Sequence, residues 1–449
     1  MNSLRMKGID LGTTNSLIAQ YNKDGTYSES DLLQSIVNLK NRNVGAKAKE
    51  DLLQRGDAAV TFSYKPDIGM TYSNTASYAI LKTLRDTVND ESERVVVTVP
   101  AYFNTHQRES TIESAKRAGY SEVHLINEPT AAVLAAAKNL NGLFLVYDLG
   151  GGTFDVSLVD VSDKFSVIKT QGINKGGDNL DRHIASRVET EYILATGKDL
   201  TEVEKKQLYF AVAKAKHEIQ ATGEDVDIEF IAGGEEHSFG MTLNQYKTDL
   251  YNVFKSTFNL IESCVHDISE KFNLMFVGGS TRCPYLRDMV SSHLRMLDKD
   301  FYLVKQTYNP DRIVAEGAAY AAYLIENEEF AMVTDIAKSI GIILVDDNDE
   351  EFVFNIIKEG EILPTFGSTY VGLTPNNTTM FDIVEDLPHN SKITAGVINE
   401  TNKLGYMEIP SEDSTFCRVD VRVSRDGTIE VAVKKDSSLD VKSIKICKN

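Results

Sequence analysis

The chain has 449 residues, 42% hydrophobic and 25% charged, the composition of a globular protein with room for two or three domains. Its 66 acidic against 47 basic residues give a formal net charge of −19, which argues against a nucleic acid or an anionic membrane surface as partner. Cys264, Cys283, Cys417 and Cys447 lie far apart with no CxxC pair, so neither a zinc site nor a disulfide framework is expected. Strand-like sequence begins within a few residues of Met1 and no apolar run reaches membrane-spanning length, so the expectation is a cytoplasmic protein.

In chain order, the first informative segment is Gly8-Ile9-Asp10-Leu11-Gly12-Thr13-Thr14-Asn15-Ser16, an apolar run into Asp, Leu-Gly and hydroxyl residues, followed by a second apolar run. This reads as strand, tight turn, strand. Lys65 follows Thr61-Phe62-Ser63-Tyr64, and on its own is a surface charge like most lysines. The run Arg94 to Val99 reads as a strand leading into a helix that ends near Arg117; Glu128 opens a helix to Asn139 after Leu125-Ile126-Asn127. Tyr147-Asp148-Leu149-Gly150-Gly151-Gly152-Thr153-Phe154-Asp155 then nearly repeats the first turn. Helical patterns occupy Leu180 to Leu194, Glu202 to Ala221 and Leu243 to Lys271. A third glycine turn, Val277-Gly278-Gly279-Ser280-Thr281-Arg282, follows an apolar strand, and alanine-rich Asp311 to Leu324 closes this α/β region. From Ser339 the texture becomes short β-branched or aromatic runs split by turns, an all-β module.

Glycines in such turns let backbone N–H groups approach an oxyanion, Thr hydroxyls add donors, and an Asp at the strand end can hold a hydrated cation. A single turn of this kind is equally an ordinary hairpin corner. Two at matching places suggest duplicated lobes facing one another across a ligand. The third turn would let a flat ring or sugar lie on the backbone with Arg282 free to stack or pair, or Ser280 or Thr281 there simply caps a helix. His106, His217 and His293 read as surface residues. HExxH spacing, a GxSxG elbow and a Walker loop are all missing from the sequence.

Together these motifs, with Val97-Thr98-Val99-Pro100-Ala101-Tyr102-Phe103-Asn104 and Ile126-Asn127-Glu128-Pro129-Thr130-Ala131-Ala132, resemble the signatures of the seventy-kilodalton heat-shock (DnaK-type) chaperone family, in order and over nearly the whole chain. The resemblance implies an actin-like ATPase region at 1–327, built of two ribonuclease-H-like lobes, with its outer subdomain reduced to a helix and a loop near 38–92. It further implies an interdomain linker at 328–338 and a β-sandwich peptide-binding domain at 339–449. ATP or ADP with Mg²⁺, and K⁺ as a further cation, would occupy the cleft between the lobes. Carried over, Asp10 and Asp148 would organise the hydrated Mg²⁺, while Gly12, Thr13, Thr14, Asn15, Gly150, Gly151, Gly152 and Thr153 would hold phosphates. Lys65 would meet the γ-phosphate, and Glu128, Thr153 and Asp155 would place the attacking water. Gly176, Gly177, Lys216, Gly278, Gly279, Ser280, Arg282 and Asp311 are the remaining nucleotide positions.

By position, Ile342, Leu344, Val345, Phe381 and Ile383 are candidates for a cleft taking extended apolar peptide; each is equally a core residue, since inward and cleft-facing residues look alike in a strand pattern. The resemblance implies unfolded polypeptide clients, a J-domain co-chaperone and a nucleotide-exchange factor, and neither nucleic acid nor membrane. The chain also departs from the family pattern. It ends at Asn449 without the helical lid, which predicts fast peptide release; Ala213, Lys216, His217 and Gln220 replace the usual adenosine-binding set, which predicts weaker ATP binding; and the linker lacks its aspartate-valine-threonine-proline run. The alternatives are a small-molecule kinase on the same fold and a nucleotide-dependent scaffold or filament protein.

Overall fold

The computed structural model describes residues 5–136, 141–162, 165–305, 307–328, 333–334, 338–346, 350–358, 361, 363–373, 377–385, 387, 391–393, 403–411, 416–424, 429–435 and 441–445. Contacts divide the chain into two compact units, one of Met1–Tyr102, Thr111–Asp163 and Thr170–Phe330, the other of Phe103–Ser110, Lys164–Lys169 and Ala331–Asn449. Of the expected linker 328–338, only Glu328, Val333, Thr334 and Lys338 fall within the described residues.

The first unit contains two mixed sheets with the same local plan. Lys7–Asp10 runs antiparallel to Asn15–Tyr21 and parallel to Arg94–Val99, with Glu122–Asn127 parallel beyond. Gly142–Leu149 runs antiparallel to Phe154–Val161 and parallel to Phe272–Val277, with Phe301–Leu303 parallel beyond. In each sheet the aspartate-bearing strand is central, and its run of buried Ile, Val, Leu or Tyr side chains reflects cover on both faces. Both glycine turns therefore leave the carboxyl end of a central strand, where ligands of open α/β sheets gather.

Two helices anchor the first sheet. Glu128–Ala136 and Ile313–Glu326 are lined by alanine and pack against one another closely enough that a Cβ at Gly317 would sit 1.8 Å from the Ala131 carbonyl oxygen. The second sheet carries the largest apolar cluster, shared with helices Gly177–Thr196, Glu202–Thr222 and Leu243–Phe254. Thr201 and Thr242 start the latter two with reciprocal capping boxes.

The expected helix Leu243 to Lys271 is two helices, Leu243–Phe254 and Ser256–Val265, and the Thr257 hydroxyl donates to the Phe254 carbonyl at the break. The segment 38–92 holds the expected short helix, Ala46–Arg55, between paired strands Val37–Asn38 and Val60–Thr61, and adds the helix Thr71–Thr87. That second helix buries Ser73, Ala76, Ser77, Ile80 and Leu84, an i, i+3, i+4 stripe whose first half is polar and so escapes a hydrophobicity pattern. His293 is not a surface residue: its ring stacks on Phe258 with centroids 4.3 Å apart, and its side chain is 12% exposed.

The second unit contains two antiparallel four-stranded sheets, one ordered Glu351–Ile357, Ile340–Val345, Asn377–Glu385, Lys403–Ser411, the other Thr365–Gly372, Phe416–Val423, Ile429–Lys435, Val441–Lys445. Alternation is strict along Phe416–Val423, where Cys417, Val419, Val421 and Val423 are buried while Arg418, Asp420 and Arg422 face away. These residues join Ile340, Ile342, Ile357, Phe381, Ile383, Met407 and others in one apolar cluster shared by both sheets. Among the described residues no helix is long and apolar enough to cross a membrane.

Candidate functional site

A cavity of about 520 Å³ opens in the first unit where the three glycine turns converge. Of the residues the sequence singles out for nucleotide, Asp10, Gly12, Thr13, Thr14, Asn15, Lys65, Glu128, Asp148, Gly150, Gly151, Thr153, Gly177, Lys216, Gly278, Gly279, Ser280, Arg282 and Asp311 line it. Gly152, Gly176 and Asp155 are not among the residues that line it, although Asp155 pairs in register with Asp148.

The first two turns touch. A Cβ at Gly151 would lie 2.0 Å from Thr14 Oγ1, so only a glycine allows the two loops to face at this distance. Each loop is tied internally. Ser35 Oγ donates to the Gly12 carbonyl at 2.7 Å, and the Gly12 N–H donates to Ser16 Oγ at 3.1 Å. In the second turn the Gly150 N–H donates to the Thr153 carbonyl at 3.1 Å. The Gly150 carbonyl accepts from the Gly177 N–H at 3.0 Å and from Ser280 Oγ at 2.8 Å, which joins the second turn to the start of helix Gly177–Thr196 and to the third turn. Gly278 has φ +82°, and a Cβ there would meet the Leu149 carbonyl oxygen at 2.4 Å, so this position requires glycine twice over. The third turn becomes a short 3₁₀ helix, Gly279–Arg282, in which the Thr281 hydroxyl donates to the Gly278 carbonyl.

Charge at the cavity floor is unbalanced. Lys65 Nζ donates to Glu128 Oε1, with both side chains buried, and Thr98 Oγ1 donates to Asp10 Oδ1 at 2.9 Å. Asp10 opens onto the cavity but is enclosed by protein, and burial raises its pKa to about 6 against the pull of Lys65. Burial, reinforced by Glu128 and Asp155, raises Asp148 well above the carboxylate range. Asp155, 1% exposed, is pushed to about 8 by burial and by Glu128. Burial alone would lower Lys65, yet the carboxylates of Glu128, Asp10 and Asp148 outweigh it and hold the ammonium charged. One cation thus faces a surplus of carboxylates, a setting that a bound cation would relieve. Asp155 Oδ1, buried without a hydrogen-bond partner among the described residues, adds to that surplus.

Toward the other end the wall is made of side chains. Lys216 is buried and paired with Asp181 at 2.8 Å, and burial raises Asp181 to about 6 despite this partner. Arg282 is paired: its Nε and Nη2 both donate to Asp311 Oδ2, and Nη2 donates also to Asn309 Oδ1 at 2.7 Å. Ala213, His217 and Gln220 line the cavity, and Gln220 Nε2 donates to Tyr246 Oη, which in turn contacts Cys283 Sγ at 3.4 Å. Sequence reasoning missed Ser35, Asp178, Asp181 and the aromatic group Phe62, Tyr209 and Phe210, all on the cavity wall. In the second unit, Ile342, Phe381 and Ile383 are buried in the shared cluster, Leu344 is half-buried against it, and Val345 is 59% exposed.

The profile of the family described as Hsp70 protein matches residues 52–449, and the chain belongs to that family. Membership brings with it an actin-like fold. Among curated proteins, the chain is 33% identical to a chaperone protein DnaK of Thermosipho melanesiensis, with 73% of this chain and 61% of that protein covered, and 32% identical to a DnaK of Thermosipho africanus, with 73% and 60% covered. It spans about three-fifths of the length of these relatives. The profile match begins beyond the first glycine turn, so Asp10 to Asn15 join the site through the structure.

Proposed function

We propose that the first unit binds and slowly hydrolyses ATP with Mg²⁺, and that the second binds extended apolar peptide, so that the chain acts as an ATP-dependent molecular chaperone. The observation that carries the reading is the convergence of Asp10, Asp148, Thr13, Thr14, Thr153, Lys65 and Glu128 on one cavity, where a polyphosphate would meet donors from both turns. In this reading the first unit is the two-lobed actin-like domain, and the second is a β-sandwich.

The donor set suits Mg²⁺. Among the described residues no three His, Cys, Asp or Glu side chains gather closely enough to chelate a metal directly, whereas Mg²⁺ keeps several waters and needs only one or two carboxylates plus phosphate oxygens. Asp10 and Asp148 would hold it through those waters, and the ion would supply charge neutralisation at the phosphates. Backbone N–H groups of the first two turns, with the hydroxyls of Thr13 and Thr14, would orient the phosphate chain. Lys65 would turn from Glu128 toward the γ-phosphate, which frees the Glu128 carboxylate to accept a proton from water aligned with the Thr153 hydroxyl. Asp155, in register with Asp148 and 1% exposed, would help to place that water. Gly177, Ser280, Arg282 and Asp311 would border the nucleoside, with Lys216 held back by Asp181.

For the second unit, family membership supports a polypeptide substrate, with a J-domain protein and an exchange factor as proposed co-chaperones. Val345 and Leu344 are the proposed cleft positions, since Ile342, Phe381 and Ile383 are committed to the apolar cluster. The test is twofold. Single-turnover hydrolysis of MgATP should be measurable on the full chain, and a fluorescent apolar peptide should dissociate at different rates with ADP and with ATP. Equal peptide rates would reduce the chain to an ATPase without a coupled peptide function, and no hydrolysis would remove the ATPase itself.

A further inference from the structure

One residue of the cavity wall combines an unusual backbone conformation with an unmet hydrogen-bonding group. Ser63, two positions before Lys65, has φ +55°, in the left-handed region that side chains other than Asn and Asp seldom enter. Four other non-glycine residues take a positive φ among the described residues, Arg42, Asn89, Asp298 and Glu328, and all four are exposed. Ser63 is 8% exposed.

The kink decides which side chains meet the cavity. Along an extended strand, neighbours point to opposite faces, yet Phe62, Ser63 and Lys65 all line the cavity while Tyr64 is buried off its lining. The chain then turns through the short 3₁₀ helix Lys65–Asp67, and Pro66 Cγ lies 3.1 Å from where a Cβ at Gly152 would sit. Ser63 therefore belongs to the stretch of wall that carries Lys65 up to the second glycine turn.

On that wall the Ser63 hydroxyl has no hydrogen-bond partner among the described residues. Burying an unpaired hydroxyl is unfavourable, and alanine would avoid it; glycine would avoid the backbone strain as well. Serine here loses on both counts unless a group entering the cavity accepts its hydrogen bond. An anion with several acceptor oxygens fits best, since Lys65, two residues on, offers a charged donor beside this neutral one.

We propose that Ser63 Oγ donates to the terminal phosphate of a bound nucleoside triphosphate and so helps the site to tell triphosphate from diphosphate. This rests on the nucleotide-binding reading above, in which Lys65 meets the γ-phosphate, and adds to it a residue whose bond forms only when that phosphate is present. With a diphosphate the hydroxyl stays unpaired. The bond therefore shows in the ratio of the two affinities, which a purely structural role would leave unchanged.

Calorimetry on the full chain with Mg²⁺ tests it. In Ser63→Ala the Kd of the β,γ-imido analogue of ATP should rise about tenfold, the loss expected for a hydrogen bond to a charged group, while the Kd of ADP should stay within about twofold. Ser63→Gly removes the hydroxyl but suits the left-handed backbone, so it should show the same loss for the triphosphate, with a thermal midpoint no lower than that of Ser63→Ala. Equal changes for both nucleotides, or no change for either, would overturn the proposal. So would a loss confined to Ser63→Ala, which would trace the effect to backbone strain. Failure of the nucleotide reading looks different: the unsubstituted chain would then bind neither nucleotide, and the role of Ser63 would fall with it.

Discussion

At one end of the cavity the wall is backbone, the turns at Gly12 and Gly150 laid against each other and stitched by Ser35, Ser280 and Gly177. At the other it is side chains: Ala213, His217 and Gln220 beside the pairs Lys216–Asp181 and Arg282–Asp311. The difference teaches where such a site can change. Backbone turns that approach within van der Waals distance admit almost no substitution, while a wall of side chains can be rebuilt residue by residue provided each buried polar group keeps a partner.

The comparison breaks most sharply at Lys65. Lys65→Ala should lower single-turnover MgATP hydrolysis by roughly 10²- to 10³-fold, the usual loss for a preorganised electrostatic contact, with the far-ultraviolet dichroism unchanged. A rate within threefold of the original would remove Lys65 from the chemistry. Next in size, Gly278→Ala combines an unfavourable φ with a backbone clash and should cost about 1–3 kcal/mol in urea denaturation.

The carboxylate surplus predicts a pH dependence of stability for the nucleotide-free chain. Asp155 has a folded-state pKa of about 8 against an ordinary 3.8, so the folded state binds its proton more tightly and stability falls as pH rises from about 4 to about 8. The thermal midpoint should therefore drop across pH 6 to 8, and Asp155→Asn should flatten this slope; an equal slope in both proteins would show that the burial of Asp155 carries no such penalty. The smallest effect belongs to the side-chain end. Tyr246→Phe removes one hydrogen bond to Gln220, worth about 1 kcal/mol, and should weaken MgADP binding in calorimetry by about fivefold or less.

Much of the turn-lined end was legible in the sequence because its chemistry is local: an Asp, a Leu-Gly and hydroxyls within a few positions imply the turn wherever they fall. The repeat of that pattern foreshadowed the matched strand pairings around Lys7–Asp10 and Gly142–Leu149. The stack of Phe62 on Tyr209 was not legible, since the two come together only through the fold and each reads alone as an ordinary half-buried aromatic. Asp155 belongs to the same motif and pairs in register with Asp148, so the two share a face of the sheet, but the motif alone does not say that Asp155 is buried off the cavity lining. The positions Ile342, Phe381 and Ile383 show the same ambiguity in the second unit, where a strand pattern distinguishes faces but not which face meets solvent. The break after Phe254 leaves no trace in periodicity.

The contact between Gly151 and Thr14 has a consequence for how such a protein can drift. A side chain added at Gly151 collides with the Thr14 hydroxyl, so the penalty for that change depends on what occupies position 14. The two positions lie in turns that follow strands of two different sheets, yet neither can be altered as if the other were absent. Gly151→Ala should be tolerated far better alongside Thr14→Gly than alone, a case of epistasis written into the space between two loops.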